Sequence, residues 1–167
     1  MDEGIKPDLF WYNPNIHPFT EYQNRKESLE RLAREAGLLL IRKDEYGLRA
    51  FIKATFPDIE EAGRKRCAIC YRERLERTAA VALENGYDAF STTLLISPYQ
   101  DHETLKTIAA LLMEQYGVQF LYRDYRPCFR EGQRIAREKG FYMQKYCGCI
   151  FSEEERYSGV VSGRKNG

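Results

Sequence analysis

Chemistry in this chain would begin with sulfur. Four of its five cysteines fall in two close pairs, Cys67-Ala-Ile-Cys70 and Cys147-Gly-Cys149, while Cys128 stands alone in Arg-Pro-Cys-Phe-Arg. A spacing of three lets two sulfurs face one metal ion or cluster, and it serves zinc clips, dithiol redox pairs and halves of iron–sulfur sites alike. Cys67 and Cys70 are expected where a basic loop, Arg64-Lys65-Arg66, enters a helix, and backbone N–H groups with nearby cations favour thiolates there. Cys147 and Cys149 flank Gly148, whose missing Cβ opens backbone angles closed to other residues. A turn there would bring the sulfurs to bonding distance in a small, strained and easily reduced ring, which suits electron transfer better than stability. The plainer reading of Cys67 and Cys70 is two buried thiols. Cys128 is expected to serve packing.

Two polar loops could add to such a site. Asn13-Pro-Asn-Ile-His17-Pro18 follows an apolar run, so His17 could act as an acid, a ligand or a hydrogen-bond donor, or the segment could simply build a turn. Thr92, Thr93, Ser97, Tyr99 and His102 form a second loop of this kind, in which Asp101 and His102 could merely cap the next helix. The chain carries 26 Lys and Arg against 25 Asp and Glu, yet the charge is uneven. Arg64 to Arg77 holds six basic residues and two acids, and Arg123 to Lys145 holds seven and three. Two basic segments on a neutral chain permit a phosphate-rich partner without demanding one. Twelve tyrosines offer surfaces for bases, or a tyrosine-rich core.

These residues need elements to position them. At 167 residues with 43% hydrophobic and 31% charged side chains, the chain has the balance of one globular domain rather than of a disordered one. No apolar run approaches the roughly 20 residues of a membrane helix, and the opening residues lack the pattern of a signal peptide, so a cytoplasmic protein with no membrane partner is expected. Strands are predicted at Asp8–Tyr12, Leu38–Ile41, Ala89–Thr93 and Val118–Tyr122. Helices are predicted from an N-cap at Thr20 to Ala36, over Leu48–Thr55, from Ala68 to Asn85, after Asp101, and over Arg130–Lys139. Gly37, Gly86, Gly117 and Gly140 are the expected stops, a polar loop holds Pro57 and Gly63, and Ser152-Glu-Glu-Glu155 reads as a further helix start.

Alternation of strand and helix with short connections predicts an α/β protein. The expected architecture is a Rossmann-like three-layer fold with a mostly parallel sheet, one domain over residues 1–157 and a disordered tail over 158–167. Its first residues read as the turn after an earlier helix, so the first β-α unit of such a fold is expected to be missing.

Taken together, five motifs go further. Tyr12-Asn-Pro-Asn-Ile-His-Pro18, Arg66-Cys-Ala-Ile-Cys-Tyr-Arg72, Ser91-Thr-Thr-Leu-Leu-Ile-Ser-Pro-Tyr99, Tyr122-Arg-Asp-Tyr-Arg-Pro127 and Gln144-Lys-Tyr-Cys-Gly-Cys-Ile-Phe-Ser152 run collinearly along the chain. In that order they resemble the QueH-type epoxyqueuosine reductases from about Leu9 to Tyr157. The resemblance implies an enzyme that reduces epoxyqueuosine, at the wobble position of certain tRNAs, to queuosine, the last step of queuosine biosynthesis. It implies a [4Fe–4S] cluster and an additional iron, no cobalamin, and an unidentified electron donor. Cys67 and Cys70 would be cluster ligands and Cys147 and Cys149 a redox-active disulfide pair. Arg72, Arg126 and Arg130 are the candidates for holding tRNA phosphate, by charge and position. The family also opens with a Cys-Cys segment that completes the cluster and has no counterpart in this sequence, so a truncated chain is expected.

Three other readings compete. A structural zinc site of Cys67, Cys70, Cys147 and Cys149 would make the chain a non-catalytic RNA-interaction module. An inactive fragment of the reductase is a second. An ATP-using enzyme is the third, and it lacks any glycine-rich phosphate loop.

Overall fold

The computed structural model describes residues 4–58 and 64–161. They form a mixed α/β protein that divides into two compact units, one built from residues 1–50 and 139–167 and the other from residues 51–138. The first unit contains strand β1 (Leu9–Trp11), helix α1 (Phe19–Ala36), strand β2 (Leu40–Arg42) and helix α6 (Ile150–Val161). Helix α2 (Leu48–Thr55) carries the chain into the second unit. That unit holds α3 (Arg64–Glu84), β3 (Ala89–Phe90), α4 (His102–Tyr116), β4 (Gln119–Phe120) and α5 (Phe129–Glu138).

Both strand pairs are parallel, as the β-α-β alternation requires: a chain that runs through a helix between two neighbouring strands returns them in the same direction. In the first unit Phe10 faces Ile41 across the β1–β2 pair, and in the second Phe90 faces Phe120 across β3–β4. The strands of the described residues thus pair two and two rather than in a single continuous sheet. They are also shorter than their apolar runs predicted. After Phe90 the predicted strand Ala89–Thr93 gives way to a 3₁₀ turn over Thr93–Ile96, because the Thr92 side chain accepts from the Leu94 N–H and diverts the backbone from ladder pairing.

The helix stops behave as glycine stops do. Gly37 and Gly117 take left-handed angles at the ends of α1 and α4, and the Gly37 N–H closes on Ala33 and Arg34. Asp101 caps α4, accepting from the N–H groups of Glu103 and Thr104 and from the Thr104 hydroxyl. Thr20 is no cap: α1 starts at Phe19, with Pro18 at the cap position and no side-chain bond there. Proline supplies the helix-compatible φ without a donor to satisfy. Helix α3 begins at Arg64 rather than Ala68, so the basic triplet forms its first turn.

In the second unit one face of α3, through Tyr71, Leu75, Ala79 and Ala82, packs against Leu105, Ile108, Ala109 and Leu112 of α4. Phe90, Leu95 and Val118 close that core. The first unit has a smaller cluster of Trp11, Ile16 and Tyr22, in which the Trp11 indole N–H donates to the Tyr22 hydroxyl at 2.9 Å. Helix α6 continues past Ser158 to Val161; residues 162–167 of the expected tail, and Gly63 of the expected loop, lie outside the described residues.

Candidate functional site

The Cys147-Gly148-Cys149 turn belongs to the first unit. Gly148 has φ +125°, an angle that side-chain-bearing residues rarely adopt. A Cβ built there would stand 3.0 Å from Nη1 of Arg25 and 3.2 Å from Cγ1 of Ile16, so glycine is required twice over. Cys149 precedes α6 and acts as its N-cap: its sulfur receives the Ser152 N–H at 3.4 Å, and its carbonyl accepts from Glu153. Ser152 answers in reverse. Its hydroxyl accepts the Gly148 N–H at 3.2 Å and donates to the Cys149 carbonyl at 2.8 Å. This arrangement resembles a capping box with a thiol at the cap, except that the returning side chain takes the N–H of Gly148, one residue before the cap.

A second layer holds the turn from α1. Arg25 donates from Nη1 to the Cys147 carbonyl and from Nη2 to the Tyr146 carbonyl, both at 2.8 Å. Glu21, one helical turn earlier, fixes that guanidinium through a 2.7 Å pair whose side chains are only 12% and 7% exposed. The Tyr142 hydroxyl donates to the other Glu21 oxygen. His17 joins through its backbone, its N–H donating to the Gly148 carbonyl at 2.7 Å and its carbonyl accepting the Tyr146 hydroxyl at 2.6 Å. The His17 ring shares a 2.8 Å hydrogen bond with the Tyr46 hydroxyl. Burial above all, with the charges of Glu21 and Glu153, pushes the Tyr146 phenol well up. The hydrogen bond to Glu21 raises Tyr142 as well. Both phenols therefore stay protonated at neutral pH and serve as donors.

Cys67 and Cys70 belong to the second unit. They lie inside the first two turns of α3, three residues apart and thus on one face, with Cys70 buried and Cys67 half-buried against the core. This is a different setting from the loop-to-helix junction that the sequence predicts, because α3 starts four residues earlier. Two cysteines on one helical face are suitable donors for half of a four-cysteine iron–sulfur site. Among the described residues, no three His, Cys, Asp or Glu side chains gather into a metal-holding group. The pair therefore fits such a cofactor as two of its ligands and does not complete a site.

The other predicted residues of this unit do not gather into one site. Arg72 is exposed on α3 and approaches Glu76 at 3.9 Å. Arg126 is gripped by Asp124 through two side-chain bonds of 2.8 and 2.5 Å, which hold the Asp124 carboxyl well below the usual carboxylate range. Arg130 is exposed on α5, and Cys128 is exposed rather than packed. His102 is buried, its Nδ1 bonded to the Tyr122 hydroxyl at 3.2 Å. Thr92 and Ser97 serve the backbone of their own loop, while Tyr99 stands out from it.

Sequence reasoning missed Arg25, Glu21 and Tyr142; it placed Tyr146 and Ser152 in a motif, and read Ser152 as the start of a helix that begins at Ile150, without giving either a part in the site. The Glu21–Arg25 spacing of four is visible on a predicted helix, but it reads there as an ordinary surface pair.

Comparison with known proteins adds an independent finding. A family model described as epoxyqueuosine reductase QueH matches residues 1–155. An epoxyqueuosine reductase QueH of Dehalococcoides mccartyi is 38% identical over 157 residues, 94% of this chain and 84% of that protein. One of Thermotoga maritima is 40% identical over 156 residues, 89% of this chain and 80% of that protein.

Proposed function

The chain belongs to the epoxyqueuosine reductase QueH family, and we propose on that ground that it reduces epoxyqueuosine in tRNA to queuosine, as a cytoplasmic enzyme. The match over residues 1–155 carries the reading. The fold that goes with it is Rossmann-like and three-layered, and the helix-linked parallel strand pairs support it.

Reduction of the epoxide to an alkene breaks both C–O bonds, forms a C=C bond and releases the oxygen as water. It consumes two electrons and two protons. Cys147 and Cys149 as a dithiol supply that amount when they close to a disulfide, and an external donor then reopens the pair. The chain's own contribution is to hold the pair: Gly148 supplies the turn, Ser152 and the α6 N-terminus fix Cys149, and Arg25 fixes the Cys147 carbonyl. Cys67 and Cys70 would supply two ligands to a [4Fe–4S] cluster, which when bound transfers electrons one at a time. An additional iron belongs to the same reading. Arg72 and Arg130 suit tRNA phosphate, whereas Arg126 already spends its guanidinium on Asp124.

The test is reduction of tRNA carrying epoxyqueuosine by protein reconstituted anaerobically with iron and sulfide, read as queuosine by nucleoside mass spectrometry. Queuosine is expected from the wild type and not from Cys147→Ser or Cys149→Ser. Cys67→Ser/Cys70→Ser is expected to lose iron and sulfide while keeping its circular dichroism. Stoichiometric zinc with no iron and no queuosine would overturn the reading in favour of a zinc module.

A further inference from the structure

The loop between β3 and α4 carries a feature that the reduction chemistry does not use. Tyr99 is 83% exposed, although its segment is not loose. Its own N–H donates to the Ser97 hydroxyl at 3.3 Å, and the next residue, Gln100, accepts the Tyr71 hydroxyl at 2.8 Å. That same hydroxyl accepts the Asp101 N–H, so the buried Tyr71 of α3 ties down the loop immediately after Tyr99. The ring itself is met by Phe129, the first residue of α5, nearly at right angles with centroids 6.1 Å apart. An aromatic held in place yet left in water forgoes the stabilisation that burial would give.

The neighbouring surface is aromatic and basic. Tyr125, 43% exposed, is anchored to the same loop by its N–H to the Leu95 carbonyl. Arg130 follows Phe129 and is exposed, as is Arg123. A fixed aromatic face beside arginines is the means by which unpaired bases are stacked and their phosphates held. A docking face for a protein would instead gather aliphatic side chains into a contiguous patch, and here the exposed apolar groups are the single rings of Tyr99 and Tyr125.

We propose that Tyr99 is a stacking platform for an unpaired base of the RNA substrate, with Arg130 at the adjoining phosphate. The proposal rests on the tRNA reading above and adds the surface that engages the single-stranded part of that substrate.

The experiment is binding of a fluorescently labelled anticodon stem-loop RNA to the reconstituted full chain at several salt concentrations. Tyr99→Ala is expected to weaken binding about 5- to 150-fold, the range for loss of one stacked base, with the salt slope unchanged. Tyr99→Phe keeps the ring and is expected to bind within about twofold of wild type, since stacking uses the π-face rather than the hydroxyl. Arg130→Ala should lower the magnitude of the salt slope by about one. Binding of a blunt RNA duplex should not respond to Tyr99→Ala. Because Tyr99 lies outside both cores, these variants are expected to fold. Undiminished stem-loop binding by Tyr99→Ala overturns the proposal, and so does equal loss in Tyr99→Phe and Tyr99→Ala. Reduction of epoxyqueuosine tRNA by the wild type judges the functional reading separately, so a failed platform and a failed assignment give different results.

Discussion

Cys67 and Cys70 sit one turn apart on a continuous helix, whose backbone bonds run between residues four apart. Cys147 and Cys149 sit on either side of a glycine with φ +125°, and the bonds that place them include two from Arg25, more than 120 residues earlier in the chain. A helical pair inherits its geometry from backbone periodicity and needs little else. A turn with an unusual backbone angle has no such default, so side chains from other elements must hold it. The first kind of site tolerates change among its neighbours, and the second concentrates its stability in a few groups.

Substitutions that remove those groups test the difference, and Arg25→Ala should be the most severe. It leaves the nearly buried Glu21 carboxylate without its cation, which costs about 3 to 5 kcal/mol when a buried pair loses one member. Trp11, the sole tryptophan, lies in the first unit, so urea unfolding followed by its fluorescence reads this loss where it occurs. Stability near that of wild type would mean that the turn holds itself.

Gly148→Ala comes next, at about 1 to 3 kcal/mol for a side-chain-bearing residue forced into this region of backbone space. The mirror experiment is Ala68→Gly between Cys67 and Cys70, where lost helix propensity sets a cost of about 1 kcal/mol and the partly buried methyl against the core adds to it. Differential calorimetry on the two variants should rank them in that order, and a reversed ranking would break the contrast between the pairs.

Ser152→Ala removes a hydroxyl that bonds both the Gly148 N–H and the Cys149 carbonyl, and about 1 kcal/mol is expected by chemical denaturation. Arg72→Ala should do least. Its contact with Glu76 is 3.9 Å long between side chains 56% and 36% exposed, so a change of about 0.5 kcal/mol or less is expected. If Arg72 holds tRNA phosphate, its substitution would show in RNA affinity and leave the thermal midpoint unmoved.

Much of the fold was legible along the chain. Helical periodicity gave α2 its bounds, Gly37 and Gly117 stop their helices with left-handed angles, and Asp101 caps α4. The errors lie where two local rules compete. Thr20 is a good capping residue, yet Pro18 takes the cap position and the chain starts α1 at Phe19. The triplet Arg64-Lys65-Arg66 reads as a loop by charge, yet all three are acceptable helix formers and extend α3. Strand lengths were overestimated because a strand-prone run such as Ala89–Thr93 does not reveal where Thr92 will turn back on the backbone.

Spacing and residue type by themselves determined that two cysteine pairs exist, that one suits a helix and the other a glycine turn, and that parallel strands alternate with helices. These are local properties, fixed by the period of the backbone and the freedom of one glycine. Only the tertiary structure decided that Glu21 and Arg25 are a nearly buried brace rather than a solvated pair, and that Tyr142 and Tyr146 close the same network. A hydrogen bond between Arg25 and the Cys147 carbonyl leaves no trace in either neighbourhood, because any carbonyl accepts as well as any other until the fold selects one.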